Sequence, residues 1–234
     1  MQFIKTGKAT HESLAKAEAI TEAKKAAAAS GLFRFWIKEG AETQITFLDG
    51  VLEDGLLQAA STDEHMVRIN GKWHNFLCIA AEEACPICEN GDSPAWIAVL
   101  TVIDHSKYED KNGKVHQHTR KLFVCKRDTF KKLQKYANKH KGLAGCTFDV
   151  SRTGEKSPAV GSDFDFVEKL PISEIVKKYG LKAEEAQPAD YEKAFKVLTA
   201  KELRELGFGG EAAAAVGTHD TKAVGKNTDY DKEL

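Results

Sequence analysis

Between Leu32 and Leu170 the chain alternates apolar and polar positions over short stretches broken by Gly, Asn and Asp. The stretches are LFRFWIK, TQITFLDG, MVRING, KWHNFLC, AWIAVLTVID, HQHTRKLFVC, CTFDVSRTG and DFDFVEKL. Period-2 alternation in segments rich in Val, Ile, Phe and Thr predicts half-buried β-strands. One helix interrupts them. Asp128 can cap it, Phe130, Leu133, Tyr136 and Ala137 fall at helical spacing, and Lys141-Gly142 closes it. Roughly five to seven strands with one inserted helix predict a mainly β fold, an OB-fold barrel plugged by that helix. A β-sandwich is the alternative, since counting strands does not separate the two.

The flanks have a different texture. Residues 11–30 are Ala-rich with few large apolar side chains, so helix propensity is high and burial low. After Leu170 the pattern turns helical again. Ser173 can cap ISEIVKKY before Gly180, Asp190 can open YEKAFKVL, and Thr199 with Glu202 forms a T-x-x-E capping box ahead of Leu203, Leu206 and Gly207. Residues 209–228 are small, polar and aperiodic, as in a linker, and Asp229, Asp231 and Glu233 end the chain on a weakly acidic tip. The expected organisation is a helical segment over 1–31, the barrel over 32–170, a helical extension over 171–208 and a tail over 209–234.

The chemistry concentrates in His65, Cys78, Cys85 and Cys88, spaced H-x12-C-x6-C-x2-C. Thiolates and imidazole are the donors tetrahedral zinc prefers, and a closed set of four leaves no position for catalysis. Asn70-Gly71 is a two-residue hairpin signal near the midpoint between His65 and Cys78. Strands running out from His65 and back to Cys78 return both side chains to one end, where Cys85-Pro86-Ile87-Cys88 supplies a knuckle. The expectation is one structural Zn2+ in a small subdomain spanning about 62–92. Five cysteines in a chain without an apolar leader fit reduced thiols and metal better than disulfides, and suggest an intracellular protein. Cys125 and Cys146 read as small buried apolar residues.

A net charge of -1 conceals a strong asymmetry. Lys114 to Lys156 holds twelve Lys/Arg against three acids, whereas Lys38 to His65 holds seven acids and one base. A basic stretch of that size suits a polyanion, or is simply a solvated face, as Lys131, Lys132, Lys135 and Lys139 on one helix can be. Aromatics interleave with the bases at Phe33-Arg34-Phe35-Trp36 and at Arg120-Lys121-Leu122-Phe123 with Lys126-Arg127. Single-stranded nucleic acid is held in this manner, bases stacking on rings while Lys/Arg track phosphates. Alternation sends Arg34 and Trp36 to one face and Phe33 and Phe35 to the other, expected to be the core. The DNA-contact candidates are Arg34, Trp36, Trp73, Tyr108, Arg120, Lys121, Lys126, Arg127, Arg152 and Lys156. His105, His116 and His118 raise a rival, a zinc-dependent nuclease, although no H-E-x-x-H helix or carboxylate pair accompanies them. A second rival is a zinc-clipped protein-interaction module. No P-loop, nucleophile elbow or Rossmann glycine fingerprint is present.

Over roughly residues 32–170 the chain resembles the zinc-containing single-stranded DNA-binding, or helix-destabilising, proteins of T-even and related tailed phages. The resemblance rests on Asn70-Gly71-Lys72-Trp73 leading to Cys78 and on Cys85-Pro86-Ile87-Cys88. It continues through the strand Ile97–Asp104 and Gly113-Lys114-Val115 ahead of a basic strand and helix. It implies an OB-fold with a zinc subdomain whose one His and three Cys ligands fall on His65, Cys78, Cys85 and Cys88. It also implies a non-catalytic protein that coats single-stranded DNA in replication, recombination and repair, in the host cytoplasm. Self-association along DNA through the N-terminal segment, and recruitment of replication proteins through an acidic tail, are the further partners it implies. Lys5 and Lys8 ahead of an Ala-rich segment, and a tail of only three acidic side chains, depart from that pattern.

Overall fold

The computed structural model describes residues 32–69, 71–110 and 113–209, with Gly7, Lys8, His11, Leu14 and Glu18. The expected N-terminal helix, apart from those isolated positions, and the tail beyond Gly209 lie outside the described residues. The strands are β1 (Phe33–Arg34), β2 (Glu42–Phe47), β3 (Leu52–Glu53), β4 (Leu56–Leu57), β5 (Ala60–Ile69), β6 (Lys72–Leu77), β7 (Ala95–Asp104), β8 (Tyr108–Glu109), β9 (Val115–His116), β10 (Thr119–Lys126), β11 (Cys146–Ser151) and β12 (Asp163–Lys169). The helices are α1 (Pro86–Glu89), α2 (Arg127–His140), α3 (Ile172–Tyr179), α4 (Tyr191–Ala194) and α5 (Ala200–Glu205), with a 3-10 turn at Ala183–Ala186. Two compact units divide the described chain: residues 32–62 with 96–191, and residues 63–95 with 192–209.

The first unit is built on the strand path β1-β10-β7-β2-β11-β12. Ile97–Asp104 is buried throughout and Leu122, Phe123 and Cys125 face inward from β10, so the centre of the sheet is covered on both sides. Phe47 meets Phe123 edge-on at 5.3 Å and Phe148 at 5.9 Å, and α2 lays Leu133 and Ala137 onto the same core. That helix ends where the sequence places its stop, with Lys141 left-handed at φ 56° ahead of Gly142. A second cluster forms where Ile175 of α3 joins Leu48, Ile103 and Ala186. Gly145 is required at the α2–β11 corner. Its φ is +83°, and a Cβ there would lie 2.1 Å from the Leu170 carbonyl oxygen.

This sheet corrects the barrel expectation. β1 runs parallel to β10 whereas β10–β7, β7–β2, β2–β11 and β11–β12 are antiparallel. The path therefore describes a mixed sheet, and its ends β1 and β12 are not paired with each other. Closing a barrel needs a continuous ladder between the first and last strands at a fixed stagger. β1 supplies two residues, both spent on β10, so no ladder closes and the domain is a mixed α/β fold rather than an OB-fold barrel. Alternation is a property of single strands, and an open sheet shows it as well as a closed one. The short β1 also explains Phe33, expected in the core but 61 % exposed, while Phe35 is buried.

Helix boundaries differ from expectation at three places. α2 begins at Arg127 with Lys126 as its N-cap, so the predicted cap Asp128 lies in its first turn, where its charge suits the helix N-terminus. α3 begins at Ile172 with Pro171 as its N-cap, two residues before the predicted cap Ser173, because the fixed proline φ (-55°) already sets the entry. The segment after Asp190 forms only the single turn α4. Among the described residues no helix is long and apolar enough to cross a membrane.

The second unit is the β5–β6 hairpin, the segment 78–95 and α5 with its flanks. Pairing runs from Glu64↔Leu77 to Ile69↔Lys72, and Gly71 takes φ +80° at the turn. Its core is small: Phe76, Ile79, Cys85 and Ile87 from the hairpin and knuckle, with Leu198, Leu203, Leu206 and Phe208 from the C-terminal segment.

Candidate metal centre

Register brings the first two donors together. His65 and Asp63 share a strand face, and the ladder continues one step past β6 through the Cys78 N–H donating to the Asp63 carbonyl at 2.8 Å. Cys78 therefore stands opposite Asp63, diagonal to His65 on the same face. The chain then turns tightly, the Glu82 and Glu83 N–H groups both donating to the Ile79 carbonyl at 2.9 Å. Cys85 caps α1, Pro86 occupies its first turn, and the Glu89 N–H returns to the Cys85 carbonyl at 3.0 Å. One turn later Cys88 points the same way as Cys85.

The four donor atoms lie within 4.8 Å of one another, so the chain carries a His/Cys3 cluster able to coordinate a metal ion. His65 Nε2 is 3.5 Å from both Cys85 Sγ and Cys88 Sγ, and Cys78 Sγ is 3.6 Å from Cys88 Sγ. Tetrahedral bonds of about 2.3 Å to sulfur and about 2.0–2.1 Å to nitrogen imply S···S near about 3.8 Å and S···N near about 3.5 Å. These three separations match that geometry, and every other pair of donors lies within 4.8 Å.

Asp92 completes the site. Its Oδ2 lies 2.6 Å from His65 Nδ1, which fixes the proton on Nδ1 and leaves Nε2 as the donor facing the sulfurs. Burial disfavours a charged His65 ring, yet the Asp92 hydrogen bond and the Cys85 contact outweigh it and raise its pKa. Burial likewise opposes a Cys85 thiolate, but backbone hydrogen bonds with Cys88, Ile79 and Ile87 draw that thiol down to about 7. Cys88, desolvated and sharing hydrogen bonds with Cys78 and Cys85, is held up at about 12. Cys85 and Cys88, side by side, resist losing their protons together, which a cation between them reverses. Sequence spacing did not single out Asp92. Its only signal is its place just after Gly91, whose φ of +85° turns the chain back toward His65.

All the DNA-contact candidates but Trp73 belong to the sheet unit. Trp36 is 47 % exposed and Arg34 half-buried beside it. Tyr108 is 40 % exposed, with His116 stacked on its ring at 5.0 Å and the Lys121 ammonium 5.5 Å from the ring centroid. Lys121 also pairs with the buried Asp104 at 2.7 Å, and Arg120 donates to the Glu184 and Gln187 carbonyls at 2.9 and 3.1 Å. Arg152 is buried and donates to the Ile37 carbonyl at 3.2 Å. Lys126, Arg127 and Lys156 are exposed. Trp73, in the other unit, is half-buried with the Arg68 guanidinium 5.9 Å from its ring centroid.

The three histidines of the nuclease rival do not gather into one site. His105 Nδ1 meets His118 Nδ1 at 2.8 Å, with the Tyr179 ring tilted against both at 4.1 and 4.8 Å, and His105 Nε2 reaches Thr46 Oγ1 at 2.7 Å. His116 instead pairs with Asp110 at 3.1 Å. Among the described residues the His65 cluster is the one group of three or more such side chains placed to hold a metal.

The open mixed sheet overturns the phage resemblance. The family it names rests on a closed OB-fold barrel, so single-stranded DNA coating, and the replication and recombination role attached to it, lose their structural footing. No family model matches the chain, and no curated protein matches it.

Proposed function

We propose that the chain is a zinc-clipped protein-interaction module, with one structural Zn2+ held by His65, Cys78, Cys85 and Cys88. The observation that carries this reading is the donor set itself: three sulfurs and one imidazole nitrogen mutually within 4.8 Å. Tetrahedral sulfur-rich coordination selects zinc or an iron–sulfur centre among common metals, and a single imidazole with three thiolates at these separations suits one zinc ion. Four protein donors complete the shell, so the metal presents no vacant position to a substrate and acts by folding the unit around it. Large apolar side chains on the sheet unit, Phe33, Trp36, Val51 and Leu56, stay exposed and are of the kind a protein partner covers.

The test is a pair of assays on the zinc-loaded full chain. Passage over immobilised single-stranded DNA at low and moderate salt should give no salt-sensitive retention, and incubation with labelled DNA should give no metal-dependent cleavage. Retention that falls steeply with salt would exclude an interaction module without a nucleic-acid role, and cleavage would restore the nuclease.

A further inference from the structure

We propose that the metal knuckle is a latch for the chain's own C-terminal segment, so that metal occupancy decides whether Thr199–Gly209 is held or released. The inference rests on the zinc reading above. Its basis is the interleaving of ligands and grips along residues 83–90. Glu83 Oε1 accepts from the Ala200 N–H at 2.8 Å, and Glu89 takes the Arg204 guanidinium at 3.0 and 3.1 Å. Asn90 Oδ1 accepts from the Gly209 N–H at 3.2 Å. Pro86 lies so close to Gly209 that a Cβ on the glycine would sit 3.0 Å from the proline Cβ. Cys85 and Cys88 stand between these four grips, so fixing the two sulfurs fixes the spacing of everything that holds α5.

The apolar contacts follow the same plan. Leu203 is fully buried, and with Leu206 and Phe208 it packs on Phe76, Ile79 and Ile87 in a core that includes Cys85, with Cys78 and Cys88 at its edge. Neither side stands without the other. Residues 63–95 number 33, below the roughly 40 at which a fold usually needs a metal or another staple. α5 spans six residues, far short of the ~12–15 an isolated helix needs. With the metal removed, 83–90 lose their common anchor and the grips lose register together. The coupling is reciprocal, so docked α5 tightens metal binding by the factor by which metal tightens docking.

Hydrogen exchange on the full chain tests this, with and without a zinc chelator, metal content being measured on the same samples. The latch predicts that chelation removes about tenfold or more of the protection in 199–209 while α2, in the other unit, keeps its own. A chain that binds one zinc and shows unchanged protection in 199–209 after losing it overturns the latch and leaves the zinc reading intact. A chain that takes up no zinc overturns both, and loss of protection in α2 as well would show general unfolding and overturn the latch. Leu203→Asp is the reciprocal check. It should weaken zinc affinity by about fivefold or more with α2 still protected, and unchanged affinity in that variant overturns the latch.

Discussion

Removing the carboxylate behind His65 should weaken metal binding without removing a ligand. Asp92 Oδ2 sits 2.6 Å from Nδ1 of a ring that is itself fully buried, so the imidazole has no water to replace this acceptor. Such outer partners are worth about 10–100-fold in metal affinity, or about 1.4–2.7 kcal/mol. Asp92 is 39 % exposed on its side chain, which screens its charge and places Asp92→Ala toward the lower end, about tenfold. Asp92→Asn keeps an oxygen that can still accept from Nδ1–H and loses only the charge, so its effect should be smaller, about threefold. Zinc affinity measured by competition with a chromophoric chelator at pH 7 resolves both. Equal affinities for the wild-type chain and Asp92→Ala would refute the argument that Asp92 orients His65. A larger loss for Asn than for Ala would refute the assignment of the proton to Nδ1.

Four other outcomes follow from the packing. Leu203→Ala should destabilise the metal unit by about 2–4 kcal/mol, because a fully buried leucine leaves a core of few residues, read as a lower melting transition of the holoprotein. Gly145→Ala should cost several kcal/mol by forcing a Cβ onto the Leu170 carbonyl at a positive φ, read by urea unfolding of the sheet unit. Arg204→Ala should change stability by at most about 1 kcal/mol, since both partners of its pair with Glu89 are largely exposed. Burial, then the His118 and Lys178 charges, push His105 down to about 4 against its ordinary 6.5. Its contribution to stability is thus whole above about pH 6.5 and is lost as pH falls toward 4, at up to about 1.4 kcal/mol per pH unit. His105→Gln should abolish that part of the acid dependence between pH 5 and 6.5, and an unchanged curve would contradict it.

The elements whose signals are local were legible in the sequence. The hairpin turn at Gly71, the stop at Lys141-Gly142 and the Thr199–Glu202 capping box depend on a few adjacent residues. In the last, the Glu202 N–H donates to Thr199 Oγ1 at 3.3 Å while Glu202 Oε2 accepts from the Thr199 N–H at 2.8 Å. The convergence of His65, Cys78, Cys85 and Cys88 was legible for a related reason, since a hairpin and a C-x-x-C turn bring donors together over 24 residues. What sequence did not carry was long-range. Strand alternation does not say which strands pair, so the parallel β1–β10 contact and the open path could not be read from it. Nor does helix periodicity say which core receives a helix. Leu203 and Leu206 belong with Phe76 and Ile87, more than a hundred residues earlier. The His105–His118 pair under Tyr179 depends on the placement of α3, and Asp92 on a glycine turn. Tertiary packing decides all of these.

X-ray absorption at the zinc edge of the purified full chain addresses the metal centre most directly. Together with metal quantification, it should report about one zinc per chain, with three sulfur neighbours at about 2.3 Å and one nitrogen at about 2.0–2.1 Å. Cys78→Ser, Cys85→Ser and Cys88→Ser should each lower the sulfur count by one or lose the metal. A shell of six oxygen or nitrogen neighbours, or a chain expressed in zinc-replete medium that carries no metal, would contradict the assignment of His65, Cys78, Cys85 and Cys88 as a structural zinc site.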